Sequence, residues 1–338
     1  MPPVELKKPL TPDVQLSCIR FSPCGKFLAA AAHDGTVRRW DMSDTELPKL
    51  TGHDGWVSWL AFHPDKTRLY SVDSWGKLLC RSYAEAMPKT VFEVPTAHDG
   101  WARKVAVSLD GKVVATIGKD GFVRLWDAAT GAKKKEIASG DDLLALTWHP
   151  SGTLVTGNLH GVIQAWDVDQ GTVTKTFDAK EFFLLDRIQD VGGVRCLGFD
   201  VEGKTLFAGG SIPKSGGFVQ GIPLLLTFDW ATGKRGPSWK GAADPEGYIH
   251  DLLVHKTGFA IGVTSGQPGN GKVFFWTPGD APPSFTAAKP NCHSVDVSPD
   301  GKKLAVSATN ANSSGNGKVK GKSGEYPANT SPIHFWTL

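Results

Sequence analysis

The sequence predicts an all-β fold, a seven-bladed β-propeller whose ring is closed by an N-terminal strand completing the last blade. Three observations lead there. A single phrase recurs along the chain: an apolar run, a turn, a second apolar run, a short Gly-containing turn, and a third run ending in Trp-Asp or a variant. The turn appears as Ser-Pro-Cys-Gly-Lys at 22–26, Ser-Leu-Asp-Gly-Lys at 108–112 and Ser-Pro-Asp-Gly-Lys at 298–302. The phrase returns every ~40–50 residues, the period at which sets of short strands build propeller blades. Composition agrees, because 39 Gly and 22 Pro supply turns while 12 Trp against 3 Met suits strands.

Seven units can be counted from their first turns, near Gly25, Asp65, Gly111, Gly152, Gly203, Gly258 and Gly301. The third strands end in step, at Trp40-Asp41, Arg81-Ser82, Trp126-Asp127, Trp166-Asp167, Phe228-Asp229, Trp276-Thr277 and Trp336-Thr337. Each unit therefore reads as strands a, b and c followed by a fourth strand d. The seventh stops after strand c, while Val4–Pro9 precedes the first strand a near Leu16. That spare segment is expected to complete blade seven, closing the ring and removing sheet edges that would otherwise invite aggregation. Residues 1–338 are accordingly expected to form one domain.

Charge and cysteine content narrow the functional classes. A net charge of +3 over 338 residues argues against bulk nucleic-acid binding. Cys18, Cys24, Cys80, Cys196 and Cys292 are odd in number and form no Cys-x-x-Cys, which favours reduced thiols over a disulfide framework. Cys18, Cys196 and Cys292 lie on first strands and are expected to be small buried residues near the axis. The opening residues contain no apolar signal core, and no apolar run approaches the ~18 residues of a membrane span. A cytoplasmic protein without membrane contact is expected.

The residues of the second and third units carry a family resemblance. Gly52-His53-Asp54-Gly55-Trp56-Val57 resembles the Gly-His opening of WD40 repeats, and the third unit has His98, Thr116, Asp120-Gly121 and Trp126-Asp127 in sequence. The resemblance covers essentially the whole chain. It implies a buried hydrogen-bond network of His98, Thr116, Asp120 and Trp126, because a buried imidazole and indole N–H require partners. That reading makes these four structural rather than catalytic. Other units depart from the pattern. Pro12 stands at the His position of the first, Trp75 and Arg81 at the Asp and Trp positions of the second, and His160 at the Asp position of the fourth.

Function must then be sought on the faces of the scaffold. Extended connections fall on the face that bears the d–a and b–c loops: Asp178–Gly193, Gly209–Pro223, Ser265–Gly271 and Asn310–Ser331. They cluster on blades five to seven, and long loops in compact domains are often functional. The first includes an apolar run, Phe182-Phe183-Leu184-Leu185, which fits packing under its own loop as well as partner contact. Aligning the strand-a starts puts Gln15, Trp56, Trp101, Asp142, Gly193, Tyr248 and Asn291 at equivalent rim positions. Two residues on lie Ser17, Ser58, Arg103, Leu144, Arg195, His250 and His293. Trp, Tyr and Arg dominate interface hot spots, so Trp56, Trp101, Arg103, Arg195, Tyr248, His250 and His293 are the expected partner-binding set.

Motifs for catalysis or cofactors fall short. The segment from Gly266 to Val273 resembles a phosphate-binding loop but lacks the hydroxyl after Lys272 and leads into a strand instead of a helix. No spacing among His250, His255 and His293 favours a metal, and neither Gly-x-Ser-x-Gly nor His-Glu-x-x-His occurs. No cofactor is expected. The leading reading is a non-enzymatic scaffold for a protein or peptide partner, alone or as a subunit of a larger assembly. Two other classes stay open: an enzyme or small-molecule binder with a site at the channel mouth, and an anion or nucleic-acid binder using Arg103, Arg195 and the Lys318, Lys320 and Lys322 loop.

Overall fold

Each unit folds as a four-stranded antiparallel meander because its a–b turn forces the chain back on itself. That turn needs a left-handed residue. Gly25, Gly111, Gly152, Gly203, Gly258 and Gly301 supply it in six units with φ between 70° and 95°, and Lys66 adopts φ 67° in the second. Glycine meets this demand without a steric penalty. The structure is a computed structural model that describes residues 2–214, 221–242, 247–266, 270–310 and 329–338.

Seven four-stranded sheets form the blades of a β-propeller, each with strand order a-b-c-d. The first strands are Leu16–Phe21, Val57–Phe62, Ala102–Val107, Leu143–Trp148, Cys196–Phe199, Tyr248–Val254 and Cys292–Val297. Each contacts the first strand of the next blade, and the seventh contacts the first, so these strands form the inner wall of a closed ring. Outer strands such as Thr90–Val94 and Lys133–Ala138 are largely exposed, whereas the second strands are almost wholly buried. Hydrophobic packing lies between blades. Ile19, Phe21, Leu28 and Trp40 of blade one pack with Ala305, Ile333 and Phe335 of blade seven.

The N-terminal segment completes blade seven. Val4 pairs with Thr337 and Glu5 with Trp336. The Leu6 amide donates to the Phe335 carbonyl at 2.8 Å, and Leu10 exchanges both backbone hydrogen bonds with Ile333. The regular ladder is thus shorter than the Val4–Pro9 strand expected, but the pairing continues to Leu10.

Two of the anticipated loops differ from expectation. In blade five, most of Gly209–Pro223 is ladder: strands Thr205–Pro213 and Gly221–Asp229 pair out to Pro213↔Gly221. The d–a connection Asp178–Gly193 is likewise ordered into a 3₁₀ turn, Lys180–Phe182, and a hairpin of Phe183–Asp186 with Gln189–Gly192. Phe182 is fully buried among Leu224, Leu226 and Phe228. Leu185 and Ile188 project at the hairpin tip. The insertion is therefore fastened to the lengthened blade through Phe182. Residues 215–220, 267–269 and 311–328, including Lys318, Lys320 and Lys322, lie outside the described residues.

Candidate docking site at the channel mouth

A repeated defect in the inner strands builds the site. In six of the seven, the ladder to strand b skips one residue, a β-bulge, at the same place. The skipped residues are Ser17, Ser58, Arg103, Leu144, His250 and His293. A bulged residue is released from the strict inward–outward alternation and its side chain is re-aimed. In the seventh case Arg195 lies just before the shortened strand a, its amide donating to the Gly209 carbonyl at 2.8 Å. These are the second-tier positions of the sequence alignment, here given a physical basis.

All seven expected binding residues line one cavity of about 310 Å³ at the mouth of the axial channel. Trp56, Trp101 and Tyr248 come from the rim, and Arg103, Arg195, His250 and His293 from the tier below. His33, of the b–c turn of blade one, completes the wall by stacking on Trp56 with ring centroids 4.8 Å apart. Trp56 meets Trp101 edge-on at 6.5 Å, Tyr248 lies 5.6 Å from His250, and His250 meets His293 edge-on at 5.6 Å. The result is an aromatic cup opening on the face of the d–a and b–c loops.

Its polar groups are not equivalent. Arg103 forms a two-point pair with Asp142, Nε to Oδ1 at 2.8 Å and Nη2 to Oδ2 at 2.6 Å, and lies over the Trp101 ring. Arg195 lies over the Tyr248 ring at 5.1 Å. Burial pushes the imidazoles down, His250 to about 4 and His293 to about 3, so both are neutral at pH 7. His293 Nε2 is 2.8 Å from Thr309 Oγ1.

Several lining residues escaped sequence reasoning. Lys104 lies beneath the cup, its Nζ donating to the Arg195 carbonyl at 3.0 Å and sitting 4.0 Å over the Trp59 ring. Adjacent cations on one strand suggest opposite faces, and only the bulge at Arg103 directs both toward the channel. Trp75 is 68% exposed beside Trp56 (52%) and Trp101 (37%), making an aromatic patch across blades one to three. Exposed tryptophans in a cluster are uncommon on surfaces that contact only water. Among the described residues, this exposed aromatic patch adjoins the cup on blades one to three.

The histidine networks hold blades together. Trp126 Nε1 donates to Thr116 Oγ1 at 2.9 Å; Thr116 Oγ1 is 2.8 Å from His98 Nε2; His98 Nδ1 is 2.9 Å from Asp120 Oδ1. In the second unit the carboxylate comes from Asp73 instead of the position held by Trp75, with His53 Nδ1 to Asp73 Oδ2 at 2.9 Å and Nε2 to Ser71 Oγ at 2.7 Å. Arg81 fills the Trp position and donates to the Thr51 carbonyl at 2.8 Å. The fourth unit exchanges the partners, His160 Nδ1 meeting Asp141 Oδ2 at 2.6 Å. The His53 and His98 side chains are fully buried, so these His–Asp pairs have no access to a substrate. Among the described residues, no three His, Cys, Asp or Glu side chains converge as a metal site.

Fold and site together define a repeat propeller with an aromatic cup at one end of its axis. A family model described as WD domain, G-beta repeat matches residues 9–41, 44–80 and 89–127, which fall on blades one to three. The match identifies WD40 repeats in these three blades. The chain is 24% identical over 199 residues to WD repeat-containing protein 90 of Homo sapiens, covering 58% of this chain and 10% of that protein. It is 29% identical over 164 residues to actin-interacting protein 1 of Drosophila melanogaster (46% and 26%). It is 29% identical over 160 residues to small ribosomal subunit protein RACK1y of Oryza sativa subsp. japonica (47% and 46%). The chain thus spans less than half the length of each of these relatives.

Proposed function

We propose that this chain is a non-enzymatic interaction scaffold, with residues 1–338 working as one domain that docks a protein or peptide segment in the cup on the d–a and b–c face. The observation that carries this reading is the convergence of Trp56, Trp101, Arg103, Arg195, Tyr248, His250 and His293 on one cavity. Large aromatic and guanidinium groups supply contact area and directed donors at modest entropic cost, and these types concentrate binding energy. The rigid ring holds side chains from five blades in fixed relation, which lowers the ordering cost on association.

The relatives support the same class. The names actin-interacting protein and small ribosomal subunit protein describe proteins that work by association with other macromolecules. We further propose a cytoplasmic location, supported by five free cysteines of which Cys18, Cys80, Cys196 and Cys292 are buried. Among the described residues no helix is long and apolar enough to cross a membrane. The experiment is recovery of bound proteins by the tagged full chain and by a folded Trp56→Ala/Trp101→Ala/Arg195→Ala/Tyr248→Ala variant. A protein held by the first and released by the second supports the reading; equal recovery by both refutes it.

A further inference from the structure

Arg103 and Arg195 occupy equivalent places on blades three and five, yet the protein treats them differently. The rim residue of the following blade decides the difference. For Arg103 that residue is Asp142, which grips the guanidinium at two points, 2.8 and 2.6 Å. For Arg195 it is Tyr248, which offers only a ring face at 5.1 Å. Among the described residues, every other arginine except the exposed Arg187 donates at least one side-chain hydrogen bond. None is found for Arg195, and its Nε is buried without a partner.

A guanidinium presents five donors in a fixed fork, and leaving a buried donor unmade is costly. The same cup contains a second buried polar atom without a partner, Nδ1 of His250, which donates in one tautomer of the neutral ring. With Asp142 already engaged by Arg103, no carboxylate among the described residues is bonded to Arg195. Lys104 beneath it adds positive charge and gives one of its donors to the Arg195 carbonyl. The walls above are the apolar faces of Trp56, Trp101 and Tyr248.

Resting on the docking reading above, we infer that the cup recognises a carboxylate on the docked segment, an acidic side chain or a chain terminus, gripped by the Arg195 fork as Asp142 grips Arg103. The Asp142 pair is the protein's own version of that contact, and charge-assisted two-point pairs are among the strongest hydrogen bonds. The neighbouring Asp142 also argues for a singly charged group over a phosphate, whose second charge it would repel.

The test titrates the full chain with benzoate and with the neutral isostere benzamide, following tryptophan fluorescence. Benzoate is expected to saturate a single site at least about tenfold more tightly than benzamide. Arg195→Gln is expected to abolish that preference, and Arg195→Lys to keep part of it, with unchanged circular dichroism in both. Equal binding of benzoate and benzamide by the wild type overturns the inference, as does a preference that survives in folded Arg195→Gln. If Arg195→Gln does not fold, the wild-type comparison and Arg195→Lys still decide. A benzoate preference together with cup-independent partner recovery would retain the carboxylate site and remove the docking role. The converse pair of results would do the reverse.

Discussion

Arg20 of blade one and Asp251 of blade six are joined inside the channel, Arg20 Nη1 to Asp251 Oδ2 at 3.0 Å, although 231 residues separate them in sequence. Ser294 of blade seven donates to the same carboxylate oxygen at 2.7 Å, and the Ile19 amide donates to Ser294 Oγ at 3.1 Å. Blades one, six and seven, which meet where the ring closes, are thereby tied by one polar cluster. Burial opposes both charges, but each holds the other ionised: the Asp251 carboxyl sits below its ordinary range and the Arg20 guanidinium above its own. Removing one partner strands the other. Asp251→Ala is expected to cost about 3–5 kcal/mol in denaturant unfolding. The double variant Arg20→Met/Asp251→Leu should recover most of that loss, since replacing a buried pair by apolar groups is often near neutral.

Asp296, close to the same cluster, behaves oppositely. Burial raises its carboxyl to about 6, against the pull of Arg20, while its Oδ2 accepts the Phe21 amide at 2.6 Å. Asp251 adds to the rise, so the carboxyl faces one cation and one anion. A folded-state value above the unfolded 3.8 means that its contribution to stability is fully present below pH 4 and is lost as pH rises through about 6. Asp296→Asn keeps an acceptor for Phe21 and removes the charge. It is expected to add about 1–3 kcal/mol at pH 8 and little at pH 4, read as the difference in melting temperature at the two pH values.

The closing segment gives a third expectation. Deleting residues 2–10 removes the pairing of Val4 and Glu5 and the hydrogen bonds of Leu6 and Leu10, and bares the edge of Ile333–Thr337. Glu5 also holds Lys289 at 2.6 Å and His334 at 3.2 Å. The truncated chain should melt at lower temperature and associate through the exposed edge in size-exclusion chromatography. An unchanged melting point and a monomeric profile would show that the segment does not hold the ring.

The chain from Trp126 through Thr116 to His98 and Asp120 predicts strong coupling. Thr116→Val leaves both the indole N–H and His98 Nε2 without partners at a buried site, an expected loss of about 1–3 kcal/mol. Adding Trp126→Phe should cost much less in that background than in the wild type, because the bond it removes is already gone. A thermodynamic cycle of the four proteins measures this directly.

Blade number, strand order and ring closure were legible because a propeller repeats its turn chemistry in register. The rim alignment found the lining of the cup for the same reason. What the sequence hid depends on neighbours. The bulges that aim Arg103 and His250 leave no residue signature, since Arg, Ser, Leu and His all occupy the skipped position. Asp73 replaces a missing carboxylate from two residues earlier, a substitution visible only once His53 is placed against it. The pairing of Arg103 with Asp142, and its absence at Arg195, is set across the gap between blades by residues 39 positions apart. The apolar Phe182–Leu185 run was ambiguous because a buried anchor and an exposed tip read alike in sequence.

The measurement that bears most directly on the central claim compares proteins recovered by three tagged forms of this chain. These are the wild type, a folded Trp56→Ala/Trp101→Ala variant of the cup, and Leu185→Ser/Ile188→Ser, which alters the exposed hairpin tip elsewhere on the molecule. Docking in the cup predicts a protein retained by the wild type and the hairpin variant and lost by the cup variant. Retention by the cup variant with loss by the hairpin variant would contradict it and move the interaction surface to blade five.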